Sequence, residues 1–137
     1  GGISQFATTF FNAAFFAGLE LEEYQSHSIY ISRYPYGREA TLSFPKPDLV
    51  VRNTTLYPVL IWTSYTDTSI TVSLYSTRHI EVEETGQESR AARRCTQVET
   101  FRSRTYPDGR EVDDSVIALY RPAEGLDCNG NPTPQQP

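Results

Sequence analysis

Cysteine and histidine are both scarce in this chain, with two of each among 137 residues. Neither Cys95 nor Cys128 belongs to a CxxC pair, and no histidine cluster accompanies them, so the sequence offers no zinc site. It also lacks a glycine-rich phosphate loop, an HExxH motif and a carboxylate pair with usable spacing, and we expect neither metal nor cofactor. No apolar run approaches the roughly 18 residues that span a bilayer, so no membrane contact is expected within the chain. Basic residues are outnumbered, 12 against 17 acids for a net charge of −5, which argues against a nucleic-acid surface. No secretion leader is recognisable; the chain opens inside a motif, and any targeting segment is expected upstream.

Aromatic residues are what the chain has in quantity. Seven Phe, nine Tyr and one Trp can build a core in a sequence that is only 38% hydrophobic. The length suits one domain, or a domain with a small appended module. Phe6, Phe10, Ala13, Ala17 and Leu21 recur at helical spacing, and Phe11, Ala14 and Phe15 add a second stripe. Thr8, Thr9 and Asn12 form the only polar strip, so we expect a mostly buried helix over about residues 5–18, stopped by Gly18.

From residue 28 the composition turns to strands. "HSIYISRYPYGREATLSF" is β-branched and aromatic, and "DLVVRNTT", "PVLIWTSYTD" and "SITVSLYST" follow at the spacing of an antiparallel meander with a turn at Thr66–Thr68. Ile70, Val72 and Leu74 should share one buried face. Residues 78–94, acidic then basic, read as an exposed connector with room for a short helix. Residues 95–128 read as a long hairpin with a type I turn over Tyr106–Gly109, and residues 129–137 as a disordered tail. The fold class expected is α+β: one buried N-terminal helix on a mainly antiparallel β-sheet, with a C-terminal β-hairpin module.

Ser4 is the first candidate for chemistry. Just ahead of a helix it meets free backbone N–H groups and the positive end of the dipole, which suit a nucleophile or an oxyanion hole. It is equally the residue type that caps a helix, and pattern alone favours the cap. Gly1 and Gly2 would let a substrate backbone approach closely. His27, at the helix-to-strand junction, has the chemistry of a base that activates a nucleophile, or of a histidine hydrogen-bonded in a turn. Asp48, Arg52, Arg38 and Glu39 are expected to cluster around "YGREAT", with Arg38 either holding a substrate carboxylate or pairing with Glu39 or another acid. Cys95 and Cys128 bracket the hairpin, so a disulfide is expected over two buried thiols, and with it a location outside the cytoplasm.

The stretch from Gly1 to about Thr77 resembles the VanW family, named for an accessory protein of vancomycin-resistance clusters. The matching residues are "GGISQFATTFFNAAFFAGLELEEYQSHSIYISRYPYGREATLSF" and "DLVVRNTTLYPVLIWTSY". The family pattern runs Gly-Gly-x-Cys-Gln, two threonines, Asn-Ala, Ala-Gly-Leu, His-Ser, and Gly-Arg-Asp/Glu-Ala-Thr. This chain departs from it at one position, where Ser4 replaces the usual cysteine. Residues 95–128 more loosely resemble the small β-rich modules of the G-five type that accompany such domains.

The resemblance implies residues 1–77 as the C-terminal part of a VanW-like domain, followed by the connector, the hairpin module and the tail. It implies a bacterial, extracellular, peptidoglycan-associated protein that binds stem peptides, with L,D-transpeptidase-like chemistry. Ser4 would stand at the nucleophile position with His27 as its base; Gly1, Gly2, Gln5, Thr8, Asn12, Ser28 and Arg38 would shape the substrate site. Three functions remain open: a degenerate transpeptidase that still binds stem peptides, an active serine acyl transferase, and a non-catalytic envelope domain. The family also carries a segment ahead of the Gly-Gly motif, which is a further expected partner.

Overall fold

Helix α1, Gly2–Ala17, buries Ala7, Thr8, Phe11, Ala14 and Phe15, one stripe at three- and four-residue spacing. A computed structural model describes residues 2–134 of the chain. The stripe that faces the core is therefore the Phe11–Ala14–Phe15 one, while Phe6 and Phe16 lie exposed. Thr8 was expected on the polar strip, yet it is buried because its hydroxyl donates to the Ala40 carbonyl and accepts the Ala40 N–H, both at 3.1 Å. The helix ends as Gly18 foretold. Gly18 takes a φ of +79°, its N–H bonds the Phe15 carbonyl at 3.3 Å, and Leu19 N–H reaches the Ala14 carbonyl at 3.2 Å.

Strand β1 (Glu20–Glu23) pairs antiparallel with β2 (Val50–Arg52), and β3 (Leu60–Tyr65) with β4 (Ile70–Tyr75). Between β3 and β4 the chain turns through Thr66–Ser69, closed by Thr66 N–H on the Ser69 carbonyl at 2.9 Å. Ile70, Val72 and Leu74 are half-buried, whereas every residue of β3 is exposed. Leu60, Trp62 and Tyr75, which share a face by register, are each more than half exposed.

Two stretches depart from the sequence reading. Residues 24–49 hold no strand; they wind as turns, broken by Pro35, Gly37, Pro45 and Pro47. Their backbone is satisfied locally instead, with Arg38 N–H on the Pro35 carbonyl at 3.1 Å and the Tyr30 hydroxyl on the Tyr34 carbonyl at 2.7 Å. The charged run expected as a connector forms β5 (Glu81–Ala92), which pairs with β6 (Cys95–Thr105). It lacks apolar alternation because nearly all of its side chains face water.

Strand β6 pairs in turn with β7 (Glu111–Tyr120) across the expected turn, where Gly109 N–H bonds the Tyr106 carbonyl at 2.9 Å. Cys95 and Cys128 form the expected disulfide, with Cα atoms 5.3 Å apart. Residues 129–133, expected as part of a disordered tail, instead close a small loop on residues 125–128, with Thr133 N–H on the Gly125 carbonyl at 2.9 Å; residues 135–137 lie outside the described residues.

The C-terminal sheet packs directly on the helix. Val116 of β7 joins Ala7, Phe11, Phe15 and Ala40 in one core cluster. The side chain of Arg102 on β6 is wholly buried; it donates to the Phe15 and Leu19 carbonyls at 2.6 and 2.7 Å and pairs with Asp114 at 2.7 Å. Arg104 reaches the Gly18 carbonyl at 3.3 Å. Two guanidinium groups thus donate to carbonyls in the last turn of α1 and just past it, where the helix dipole favours cations.

Candidate active site

Ser4 lies inside the first turn of α1, not ahead of it, so it does not occupy the capping position that local pattern favoured. Within that turn the Ile3 and Ser4 N–H groups have no carbonyl partner inside the helix, and they sit at its positive end. Ser4 Oγ stands 2.9 Å from His27 Nε2. The distance lies within the range in which a nucleophile hands its proton to a base.

His27 Nδ1 meets a carboxylate oxygen of Glu39. The contact is doubled by the backbone, since His27 N–H donates to Glu39 Oε1 and Oε2 at 3.0 and 3.1 Å. Glu39 is completely buried, and its other donor is the Tyr120 hydroxyl, 3.0 Å from Oε1. The Tyr24 hydroxyl donates to the Glu39 carbonyl at 2.8 Å. A dry carboxylate with several donors is a fixed acceptor, which holds the ring with its proton on Nδ1 and a free lone pair on Nε2 facing the serine. Tyr34 stacks on the His27 ring, with centroids 5.7 Å apart and planes 22° from parallel.

Both tyrosines respond to this environment. Burial pushes the Tyr24 and Tyr120 hydroxyls well above the ordinary phenol range, and the Glu39 charge pushes in the same direction. Each therefore remains a hydrogen-bond donor at neutral pH.

The sequence singles out Ser4 and His27, which the structure brings together, but not Glu39, which it offers only as one acid that could pair with Arg38. The acidic position in the family pattern Gly-Arg-Asp/Glu-Ala-Thr was the available signal. Arg38 turns away from Glu39: its Nη1 donates to Asn12 Oδ1, and its Nε lies 2.9 Å from Glu84 Oε1 without the alignment of a hydrogen bond. Asn12 in turn donates to the Thr8 and Arg38 carbonyls at 2.9 and 3.0 Å. The other expected members of the cluster are elsewhere, since Arg52 pairs with Glu22 at 2.6 Å and Asp48 accepts from Leu49 N–H at 2.8 Å.

Gln5, Thr8, Asn12 and Arg38 do come together, lining an open cleft of about 700 Å³ with Arg33 and Tyr34. The cleft begins one residue from Ser4 and shares Tyr34 with the His27 ring. Gly2 faces open space, with nothing within 4 Å of where a Cβ would stand. Ser28 is exposed beyond His27, and its carbonyl accepts Arg121 N–H at 2.8 Å. Gly1 lies outside the described residues. No group of three or more His, Cys, Asp or Glu among the described residues is arranged to hold a metal ion.

The family profile described as "VanW like protein" matches residues 1–75. The chain belongs to the VanW family. Its VanW region holds Ser4, His27 and Glu39, while Tyr120 comes from beyond it. The chain is also similar to an uncharacterized protein, YoaR, of Bacillus subtilis (strain 168), with 38% identity over 76 residues. That match covers 56% of this chain and 25% of the relative, so the chain spans about a quarter of that protein's length. No solved structure matches.

Proposed function

We propose that this VanW-family chain is a serine-dependent acyl transferase acting on peptidoglycan stem peptides outside the cytoplasm. The observation that carries the reading is the continuous contact from Ser4 Oγ to His27 Nε2 and from His27 Nδ1 to Glu39. A serine hydroxyl, unlike a thiol, is not appreciably ionised near neutral pH and needs an oriented base at the moment of attack. The buried Glu39 supplies that orientation, which favours an active serine site over a degenerate cysteine one.

In the proposed reaction Ser4 Oγ attacks a peptide carbonyl while its proton passes to His27 Nε2. The tetrahedral oxyanion forms beside the free N–H groups of the first helical turn. Collapse breaks the C–N bond, and the departing amine takes the proton from His27. A second amine, or water, gives its proton to the same nitrogen as it attacks the acyl-serine, and collapse breaks the acyl–Oγ bond as His27 returns that proton to Ser4 Oγ. An amine acceptor yields transpeptidation; water yields hydrolysis.

Substrate class rests on the resemblance and on the cleft. Arg33 and Arg38 line it with Thr8 and Asn12, a surface suited to a peptide bearing a free carboxylate. The disulfide suits an oxidising compartment.

Turnover of a synthetic stem peptide by wild type, Ser4→Ala and Ser4→Cys tests the reading. Activity in wild type that Ser4→Ala abolishes supports it. Activity unchanged by Ser4→Ala overturns it, and activity seen only in Ser4→Cys assigns the chain to the degenerate class.

A further inference from the structure

The strand that ends the C-terminal sheet delivers one side chain to the catalytic carboxylate. Val116, Ala118 and Tyr120 alternate onto the buried face of β7, and the last of these points its hydroxyl into the loop that carries Glu39. The Tyr120 hydroxyl donates to Glu39 Oε1 at 3.0 Å and accepts the Gly37 N–H at 3.2 Å. Its ring is held between Tyr36, stacked at 5.5 Å, and Tyr30, tilted at 5.6 Å.

The same sheet grips the loop at two further points. Thr100 Oγ1 donates to the Gly37 carbonyl at 3.2 Å, and Gln87 Nε2 donates to the Tyr36 carbonyl at 2.6 Å. Gly37 itself, at φ +73°, has no room for a Cβ, which would stand 2.7–2.8 Å from Gln87, Thr100 and Val98. The loop is therefore pressed onto the sheet without a gap, and Glu39 lies two residues further along it.

We propose that Tyr120, which lies outside the VanW region, is a positioning residue that fixes the Glu39 carboxylate and through it the His27 ring. The inference rests on the acyl-transfer reading for its kinetic consequence but not for its geometry. Without the hydroxyl, Oε1 keeps only the His27 N–H as donor. The carboxylate then rests on His27 alone, and the ring loses the outside anchor that fixes its orientation toward Ser4.

The test compares Tyr120→Phe, Glu39→Gln and the double variant in the full chain, with Ile117→Ala as a β7 control that leaves the hydroxyl in place. Phe retains the ring between Tyr30 and Tyr36. We expect Tyr120→Phe to lower kcat about tenfold with KM changed less than about twofold. In the Glu39→Gln background the same change should add almost nothing, because the two groups act as a unit.

A second readout needs no substrate: the low-field proton resonance of His27 Nδ1–H should broaden or move in Tyr120→Phe and stay in place in Ile117→Ala. Equal losses of kcat in both backgrounds, or equal effects of Ile117→Ala, would overturn the proposal, as would an unmoved resonance in folded Tyr120→Phe. If wild type shows no Ser4-dependent turnover, the acyl-transfer reading falls, and the resonance alone still decides whether Tyr120 fixes the pair.

Discussion

Arg102 and Phe15 stand 87 positions apart in the chain, yet a guanidinium nitrogen of the first lies 2.6 Å from the carbonyl of the second. The contact joins the C-terminal sheet to the end of the helix that bears Ser4. Arg102 has no exposed side-chain surface, and its remaining donors serve Leu19 and Asp114. Arg102→Leu should lower unfolding stability by about 1–3 kcal/mol, because the Phe15 and Leu19 carbonyls lose their guanidinium donor and Asp114 keeps only Arg104. Arg102→Lys should recover only part of this, since an ammonium cannot reproduce the forked geometry. Urea unfolding of the two variants measures both effects.

Glu39→Gln should retain the fold and lose about 10³–10⁴-fold in kcat, since a neutral amide can impose the wrong tautomer on His27. Stem-peptide turnover, with circular dichroism as the folding control, reads this directly. Ser4→Ala should lose at least about 10³-fold while still binding substrate, because the cleft residues stay in place.

Alkaline pH should destabilise the protein from about pH 10 upward. Tyr24 and Tyr120 have folded pKa values raised above the unfolded phenol value, chiefly by burial and then by the Glu39 charge. Their contribution is fully present below the unfolded value and is lost as pH climbs toward the folded one, because the unfolded chain ionises first. Unfolding midpoints measured from pH 8 to 11 should fall less steeply in Tyr24→Phe and Tyr120→Phe than in wild type.

Reduction of Cys95–Cys128 should cost about 3–4 kcal/mol in the chain-entropy account of a loop with this separation of 33. Intact mass establishes the bond, and urea midpoints with and without reductant give its contribution. The loss should appear in the C-terminal sheet first, and activity should follow because that sheet holds the loop around Gly37.

Local pattern carried part of this structure to the surface of the sequence. The periodicity of Phe11 and Phe15, the stop at Gly18, and the turns at Thr66–Ser69 and Tyr106–Gly109 are all nearest-neighbour signals, and each stands where it was expected. Residues 28–45 misled because aromatic and β-branched side chains serve a packed, partly buried loop as well as a strand. Tyr24 and Tyr30 spend their hydroxyls on loop carbonyls, the first fifteen positions away and the second four, a use that composition does not reveal.

The candidate site was half legible for a similar reason. Ser4 and His27 occupy positions with local meaning, whereas Glu39 follows an arginine and reads as half of an ion pair. Only the fold shows that Arg38 turns to Asn12 and Glu84, leaving Glu39 to His27 and Tyr120. Tyr120 ends an alternating strand and reads as core, which it also is.

The charge of β5 has a colloidal consequence. This twelve-residue strand borders the three-stranded sheet with one hydrogen-bonding side unpaired, the geometry that recruits a strand from another molecule. Glu81, Glu83, Glu84 and Glu88 line it against a single Arg90, so a second copy pairing in parallel and in register would lay acid beside acid. The residues that hid the strand from pattern reading thus act as gatekeepers. Neutralising them should leave the monomer folded and shorten its life in concentrated solution.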